Sequence, residues 1–171
     1  MRKTKFLFIG CVSTFLFIVV TALSFAFEPQ EKKAPSIEGS YTLVSRDLPD
    51  GTKQGPPEVM GMLTYTKTHR NFNVIWKDKD GKVFSYSLVS EYKLTANEYS
   101  EKIIFSILND QIGGQEIKYE LSGPSQTVPV TLKGERIEFK PPFDPPSLAF
   151  EGNKMTAMAE GQFIDHWEKV Q

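Results

Sequence analysis

The chain has 171 residues, which is enough for one domain and short for two. Its 40% apolar and 24% charged residues are typical of a globular protein, and 13 Phe, 6 Tyr and 2 Trp supply large side chains for a core. The net charge of −1 and the lack of a basic run past the first residues argue against nucleic acid as a partner.

The first element is an N-terminal targeting segment. Arg2, Lys3 and Lys5 precede an uncharged apolar run over residues 6–27, and charged residues follow at once. This order predicts a secretory signal, and Ser24 and Ala26 supply the small residues expected before a cut after Ala26. Residues 1–26 are therefore expected to form an apolar targeting helix that directs the rest of the chain out of the cytoplasm.

Two other interpretations of this segment stay open. The apolar run of 22 residues is long enough to span a membrane, so residues 6–27 would anchor the protein if they were not cleaved. The sequence before Cys11 also has a faint likeness to a lipoprotein signal, although most of the apolar run follows that cysteine. Cleavage after Ala26 would remove Cys11, the one cysteine, and would change the net charge to −4.

Residues 27–36 form a polar tether with two prolines, and residues 37–171 are predicted to form one β-domain. Apolar runs alternate with turn signals such as Asp50-Gly51 and Asp80-Gly81, and the latter predicts a hairpin. Phe72, Val74 and Trp76 show the period of two that marks a half-buried strand. The predicted strands cover residues 40–46, 60–67, 71–77, 82–94, 99–108, 116–121, 128–132, 136–140, 147–150, 154–159 and 162–170.

These short strands predict an all-β domain, since no amphipathic helix of useful length follows the targeting segment. About ten strands separated by short turns indicate a closed barrel or a sandwich. The proline-rich residues 141–146 cannot form a central strand, because proline lacks the amide proton that a sheet requires. We expect them in a loop or at the rim.

Three short motifs carry a family resemblance. Residues 37–45 read Ile-Glu-Gly-Ser-Tyr-Thr-Leu-Val-Ser, residues 61–65 read Gly-Met-Leu-Thr-Tyr, and residues 163–170 read Phe-Ile-Asp-His-Trp-Glu-Lys-Val. This layout resembles the bacterial lipocalin-like domains of the calycin group, which open with Gly-x-Trp, continue with Gly-x-Leu-x-Tyr and close with Trp-x-Arg. Here Tyr41 stands at the Trp position and Lys169 at the Arg position, so barrel closure would rest on a weaker cation–π contact between them.

The resemblance implies an antiparallel up-and-down β-barrel with an internal cavity for a small apolar molecule. The aromatic residues Trp76, Phe84, Tyr86, Phe105 and Phe150 are the candidate ligand-binding residues. The same side chains would serve equally well as filling, because an eight-stranded barrel has room either for one small ligand or for its own core. Residues 47–57 are expected to act as a lid and residues 141–146 as a rim.

Catalytic and metal sites have weaker support. His69 reads as a turn residue, and His166 in the last strand would be a haem ligand only by likeness to the nitrobindin relatives of this barrel class. Asp144, Glu151 and Asp165, with His166 as a base, are the candidates for an enzyme, but they lie on separate segments. Residues 77–82 form a charged hairpin tip and lack the closing acid of a calcium loop. We therefore predict no metal and no cofactor.

Three functions follow in order of preference. The first is non-enzymatic binding of a small apolar or amphipathic molecule, with the protein secreted or periplasmic, or membrane-anchored if residues 6–27 are retained. The second is a structural or interaction module of the cell envelope with a filled core. The third is a barrel enzyme of the isomerase or cyclase type.

Overall fold

The computed structural model describes residues 35–121 and 123–170, and every regular element in these residues is a β-strand. The predicted targeting helix, its cleavage site and most of the tether lie outside the described residues. Within the described ranges, no helix has the length and hydropathy needed to cross a membrane. The strands are β1 (Gly39–Asp47), β2 (Lys53–Gln54), β3 (Val59–Tyr65), β4 (His69–Lys77), β5 (Val83–Leu94), β6 (Glu98–Asp110), β7 (Lys118–Leu121), β8 (Ser125–Pro129), β9 (Thr131–Lys133), β10 (Arg136–Phe139), β11 (Ser147–Glu151), β12 (Lys154–Ala159) and β13 (Phe163–Lys169).

The strands form one antiparallel sheet that curls into a barrel. Hydrogen-bonded neighbours follow chain order from β3 to β6 and from β9 to β13, and β1 lies between β3 and β13. The β6 side and the β10 side of this sheet are connected by two consecutive strands. β8 pairs with β6, and β9, the next strand in the chain, pairs with β10. Val130 separates β8 from β9, and its amide donates to the carbonyl of Asn97 at 2.8 Å. The segment therefore passes from one barrel edge to the other and closes the ring.

The strands that carry the first and last sequence motifs, β1 and β13, are paired with each other. Tyr41 in β1 stands opposite Lys169 in β13, and the ammonium lies 5.8 Å from the centre of the tyrosine ring. A Cβ at Gly39 would lie 2.0 Å from Lys169 Cε, and Gly39 has a φ of 141°, so glycine is required beneath this lysine stem. The expected cation–π geometry between Tyr41 and Lys169 is thus present at the seam.

One half of the barrel interior is packed with aromatic rings. We call this set the aromatic plug; its rings stack or meet edge to face with centroids 4.3–5.8 Å apart, within the range of favourable aromatic pairs. Ile37 ahead of β1 is also buried there, and its carbonyl accepts a hydrogen bond from the Tyr41 hydroxyl at 3.1 Å. The plug consists of Tyr41, Tyr65, Tyr92, Tyr99, Phe139 and Phe150.

The all-β antiparallel class predicted from the sequence is confirmed, and the described residues contain no helix. The largest difference concerns predicted strand 128–132, which is divided at Val130 because its two parts pair with different neighbours. Strand β6 also extends further than expected at both ends, from Glu98 to Asp110. It can do so because three strands share its length, with β5 on one side and β7 and β8 in series on the other.

The buried tyrosines make the fold sensitive to alkali. Burial raises the pKa of Tyr41, Tyr65 and Tyr99, and it raises the pKa of Tyr86 and Tyr92 to about 12. In the unfolded chain these phenols ionise at about pH 10. The tyrosines therefore contribute stability that is fully present below pH 10 and is lost as the pH rises through the folded-state values.

We predict that the free energy of unfolding begins to fall near pH 10 and falls steeply towards pH 12. Chemical denaturation at a series of pH values measures this fall, while ultraviolet absorbance follows phenolate formation. Apart from the absorbance of the exposed Tyr119, the two signals should change together, because the plug tyrosines ionise only as the barrel opens. Phenolate formation in the plug while near-ultraviolet dichroism stays native would contradict the prediction.

Candidate functional site

The other half of the barrel interior holds a cavity of about 410 Å³. Its wall comes from strands on all sides of the barrel and from the proline-rich segment between β10 and β11. The aromatic plug lies outside this wall, so the barrel is filled in one half and hollow in the other. The cavity is lined by Arg46, Leu63, Arg70, Phe72, Val74, Trp76, Phe84, Tyr86, Leu108, Phe143, Asp144, Pro145, Pro146, Leu148, Met155, Ala157, Gln162, Phe163, Asp165 and Trp167.

Aromatic rings dominate one side of the cavity and are held against the wall. Trp76 and Phe84 stand opposite each other in β4 and β5 and stack at 3.9 Å between centroids. Phe72 meets Tyr86 edge to face at 6.1 Å and lies 6.0 Å from Trp167. Both tryptophans of the chain therefore line the cavity.

The structure brings together three of the five aromatic residues predicted to bind a ligand. Trp76, Phe84 and Tyr86 line the cavity, whereas Phe150 belongs to the aromatic plug. Phe105 is half-buried and lies outside the cavity wall. A register shift between β5 and β6 changes which β6 side chains face inward, so that Leu108 lines the cavity instead of Phe105.

A buried ion pair forms part of the wall. Arg46 in β1 donates from Nε and Nη2 to the two carboxylate oxygens of Asp165 in β13, at 2.6 and 2.9 Å. The guanidinium lies between two rings, 4.4 Å from the centre of Trp76 and 3.9 Å from that of Phe163. Burial raises the pKa of Asp165, and the hydrogen bonds and charge of Arg46 oppose this effect.

A second charged cluster lies between the cavity and the plug. Arg70 in β4 donates from Nη1 to Glu101 Oε1 at 3.0 Å and from Nη2 to Asp144 Oδ2. Ser90 in β5 donates from its hydroxyl to Glu101 Oε1 at 2.6 Å. Burial lowers the pKa of Arg70, but the charge of Asp144, with smaller effects from Tyr65 and Glu101, holds it well above the ordinary value. Arg70 therefore stays charged and forms the floor of the cavity.

The proline-rich segment is more than a rim. Residues 143–146 form part of the cavity wall, and Asp144 reaches Arg70 on the opposite side of the interior. Pro141, just before them, is fully buried. The expected lid behaves differently: no residue of the 47–57 loop lines the cavity, because β2 folds back onto β1 and pairs with Arg46 and Asp47.

The other predicted chemical residues do not converge. His166 alternates with the inward residues Asp165 and Trp167, so it lies on the outer face, where Nε2 is 2.9 Å from Asp47 Oδ2. Glu151 is exposed beside Arg136, and His69 is exposed at the start of β4. Of the four residues considered for catalysis, only Asp144 and Asp165 line the cavity. In the part of the chain that is described, no group of three or more His, Cys, Asp or Glu residues is placed to hold a metal ion.

The residues that sequence reasoning missed are the charged ones, Arg46, Arg70 and Glu101. Arg70 lies two residues before Phe72, so the period of two already placed it on the inward face. The period of two does not place Arg46 on the inward face, because Tyr41 and Leu43 point inward and Arg46 is three residues after Leu43. A bulge between Leu43 and Ser45 changes which residues of β1 face inward.

Comparisons with known proteins add one match. No protein-family model and no curated protein matches the chain. Among solved structures, the chain is similar to a lipocalin-like protein from Bacteroides uniformis ATCC 8492, with 18% identity, a TM-score of 0.32, and coverage of 78% of this chain and 97% of that chain. That protein is described by the same term as the predicted resemblance, and the barrel of this chain is established by its own strand pairing.

We predict that Asp165→Ala lowers the free energy of unfolding by about 3–5 kcal/mol, because it leaves the buried Arg46 charge without a partner. The double variant Arg46→Met with Asp165→Ala should recover much of this loss, since it removes the unpaired charge. Urea denaturation at neutral pH measures both. The matched control is Glu138→Ala, which removes an Arg136 partner at the surface and should change stability little. Equal effects of Asp165→Ala and Glu138→Ala would contradict a buried role for the Arg46–Asp165 pair.

Proposed function

We propose that this protein binds a small apolar or amphipathic molecule inside the barrel, without altering it chemically, and that it does so outside the cytoplasm. The observation that carries the proposal is the cavity of about 410 Å³, bounded by aromatic and aliphatic side chains. Small-molecule sites in proteins commonly occupy about 300–1,000 Å³ and combine apolar walls with a few polar groups.

Burial of apolar surface would supply the affinity. Each Å² of ligand surface removed from water is worth about 25 cal/mol before the costs of ordering the ligand. The wall is already ordered, because Trp76 stacks on Phe84 and also lies against the Arg46 guanidinium. A ligand would therefore bind with little rearrangement of these rings.

The alternative of a filled interaction module fits only one half of the barrel. The aromatic plug occupies that half completely enough to bury Tyr65, Tyr99 and Phe150. In the other half, Trp76, Phe84 and Tyr86 are only partly buried and border open volume. A filled interaction module would have side chains in this half of the barrel, but this half contains space for a ligand.

The enzyme alternative draws its support from Asp165, a cavity carboxyl whose pKa burial raises. Both of its oxygens accept hydrogen bonds from Arg46, so a proton transfer by Asp165 would have to break that ion pair. His166, the base considered with it, lies on the outer face of the barrel. These positions favour binding over catalysis.

The proposed location rests on the sequence of residues 1–26, with their basic start and apolar run. Its test is the N-terminal residue of the protein recovered from cells that express the full chain. An N-terminus at Phe27 would support export and cleavage, whereas intact protein in the membrane fraction would support an anchor.

We predict that the neutral dye 1-aminoanthracene binds the purified protein saturably with a stoichiometry of one. Binding should quench intrinsic tryptophan fluorescence, because Trp76 and Trp167 both line the cavity. Ala157→Phe should weaken binding at least tenfold, since Ala157 is buried in the cavity wall and the added ring would enter the cavity.

The matched control is Ala149→Phe. Ala149 stands opposite Thr156 on the neighbouring strand and lies outside the cavity wall, so the same added ring should leave dye binding unchanged. Circular dichroism and thermal unfolding of both variants establish that they fold. Absence of saturable binding, or equal binding by wild type and a folded Ala157→Phe, would overturn the proposal.

A further inference from the structure

We infer that the cavity selects amphipathic cations, such as an ammonium group on an apolar body, over neutral or anionic molecules of similar size. This inference rests on the proposed binding function and names the ligand class of the same site.

The charged groups at the cavity do not balance. Arg46, Arg70, Asp144 and Asp165 are the charged residues in its wall, and Glu101 joins them through Arg70. Arg46 and Asp165 form a complete pair, with two hydrogen bonds between them. Arg70 is shared by two carboxylates, so the cluster at the floor carries one negative charge in excess.

The excess charge has unused acceptor atoms. Asp144 lines the cavity with a side chain that is 8% exposed, and only its Oδ2 accepts a hydrogen bond from the described part of the chain. Glu101 Oε2 is also buried without a hydrogen-bond partner among those residues. Glu101 does not line the cavity, whereas Asp144 does, and its Oδ1 accepts no hydrogen bond from the described residues. Asp144 Oδ1 is therefore the acceptor that a ligand can reach, and an ammonium supplies both a donor and the compensating charge.

An anionic ligand meets the opposite situation. Each cavity guanidinium makes two charge-assisted hydrogen bonds to protein carboxylates, and the Nε of Arg70 has no hydrogen-bond partner among the described residues. An anion could accept from that Nε, but it would then lie beside Asp144 and Glu101, and like charges repel each other strongly in a buried site. A cation is attracted by the carboxylate in excess, whereas an anion is repelled by it.

The wall near Asp144 also suits a cation. Phe72 lies 5.1 Å from the Arg70 guanidinium and contacts Tyr86 edge to face. Tyr86 and Asp144 both line the cavity, and the pKa of Tyr86 is raised to about 12, first by burial and next by the negative charge of Asp144. Aromatic faces attract cations within about 6 Å of the ring centre. The ammonium would thus meet a carboxylate and π-faces together, while its apolar body lies against Trp76 and Phe84.

Three probes with one hydrocarbon chain test the inference. Decylamine is protonated at neutral pH, since alkylamines ionise at about pH 10 as lysine does; decanol is neutral and decanoate is anionic. Each probe displaces 1-aminoanthracene from the wild-type protein below its micellar concentration. We expect decylamine to bind at least tenfold more tightly than decanoate, with decanol in between.

The variant Asp144→Asn tests the contribution of the Asp144 negative charge, because it removes the charge and keeps the shape of the side chain. The amide retains an oxygen that can accept from Arg70, and Arg70 keeps Glu101 as its counter-charge. We expect this variant to lose about tenfold in decylamine affinity, to bind decanol as the wild type does and to gain affinity for decanoate. The control Glu151→Gln makes the same change of charge at an exposed carboxylate outside the cavity and should leave all three affinities unchanged.

The outcomes separate the two proposals. If dye and probes all fail to bind, the proposed binding function itself fails. If they bind but decanol or decanoate equals or exceeds decylamine, or if a folded Asp144→Asn keeps the amine preference, only the cation inference is overturned. The wild-type comparison decides the preference by itself if Asp144→Asn does not fold.

Discussion

The contact of Arg70 with two carboxylates is the interaction on which the arrangement of this barrel depends. Arg70 is one of the most deeply buried side chains, and its partners come from distant parts of the chain, Glu101 in β6 and Asp144 between β10 and β11. One guanidinium therefore joins three regions of the wall across the interior. It also separates the packed half from the hollow half, because the plug rings lie on one side of it and the cavity on the other.

The cavity half of the barrel stays unfilled because its large aromatic rings contact other residues of the wall and do not point across the interior. Trp76 is stacked on Phe84 on one side and covers Arg46 on another, and Arg46 is fixed by Asp165 in the strand beside it. A ring with these partners cannot turn across the barrel without giving up both the stacking and the cation–π contact. In the plug, by contrast, the rings pack against one another across the interior of the barrel. The same residue types thus fill one half and line the other.

The sequence predicted the sheet well and the site only in part. Alternation at Phe72, Val74 and Trp76 placed these side chains on one face, and turn signals such as Asp80-Gly81 placed the hairpins, because both depend on neighbours in the chain. The register shift near Ser90 and the bulge after Leu43 depend on how strands pair, and they moved Phe105 out of the wall and Arg46 into it. The contact of Asp144 with Arg70 joins residues 74 positions apart, so no local pattern could show it.

In the proposed site, the charged residues would decide which head groups are accepted, and the apolar walls would contribute less to that choice. Apolar contact is similar for any ligand body of the right size, so Trp76, Phe84 and Leu108 would set how tightly a molecule binds and would discriminate weakly among head groups. Discrimination between charged head groups would arise where burial gives an unpaired charge a high free-energy cost. That place is the floor formed by Arg70, Glu101 and Asp144. Because that floor holds one more carboxylate than guanidinium, a cationic head group would be favoured there. An amphipathic cation would therefore bind with its head towards Asp144 and its apolar body along the aromatic wall.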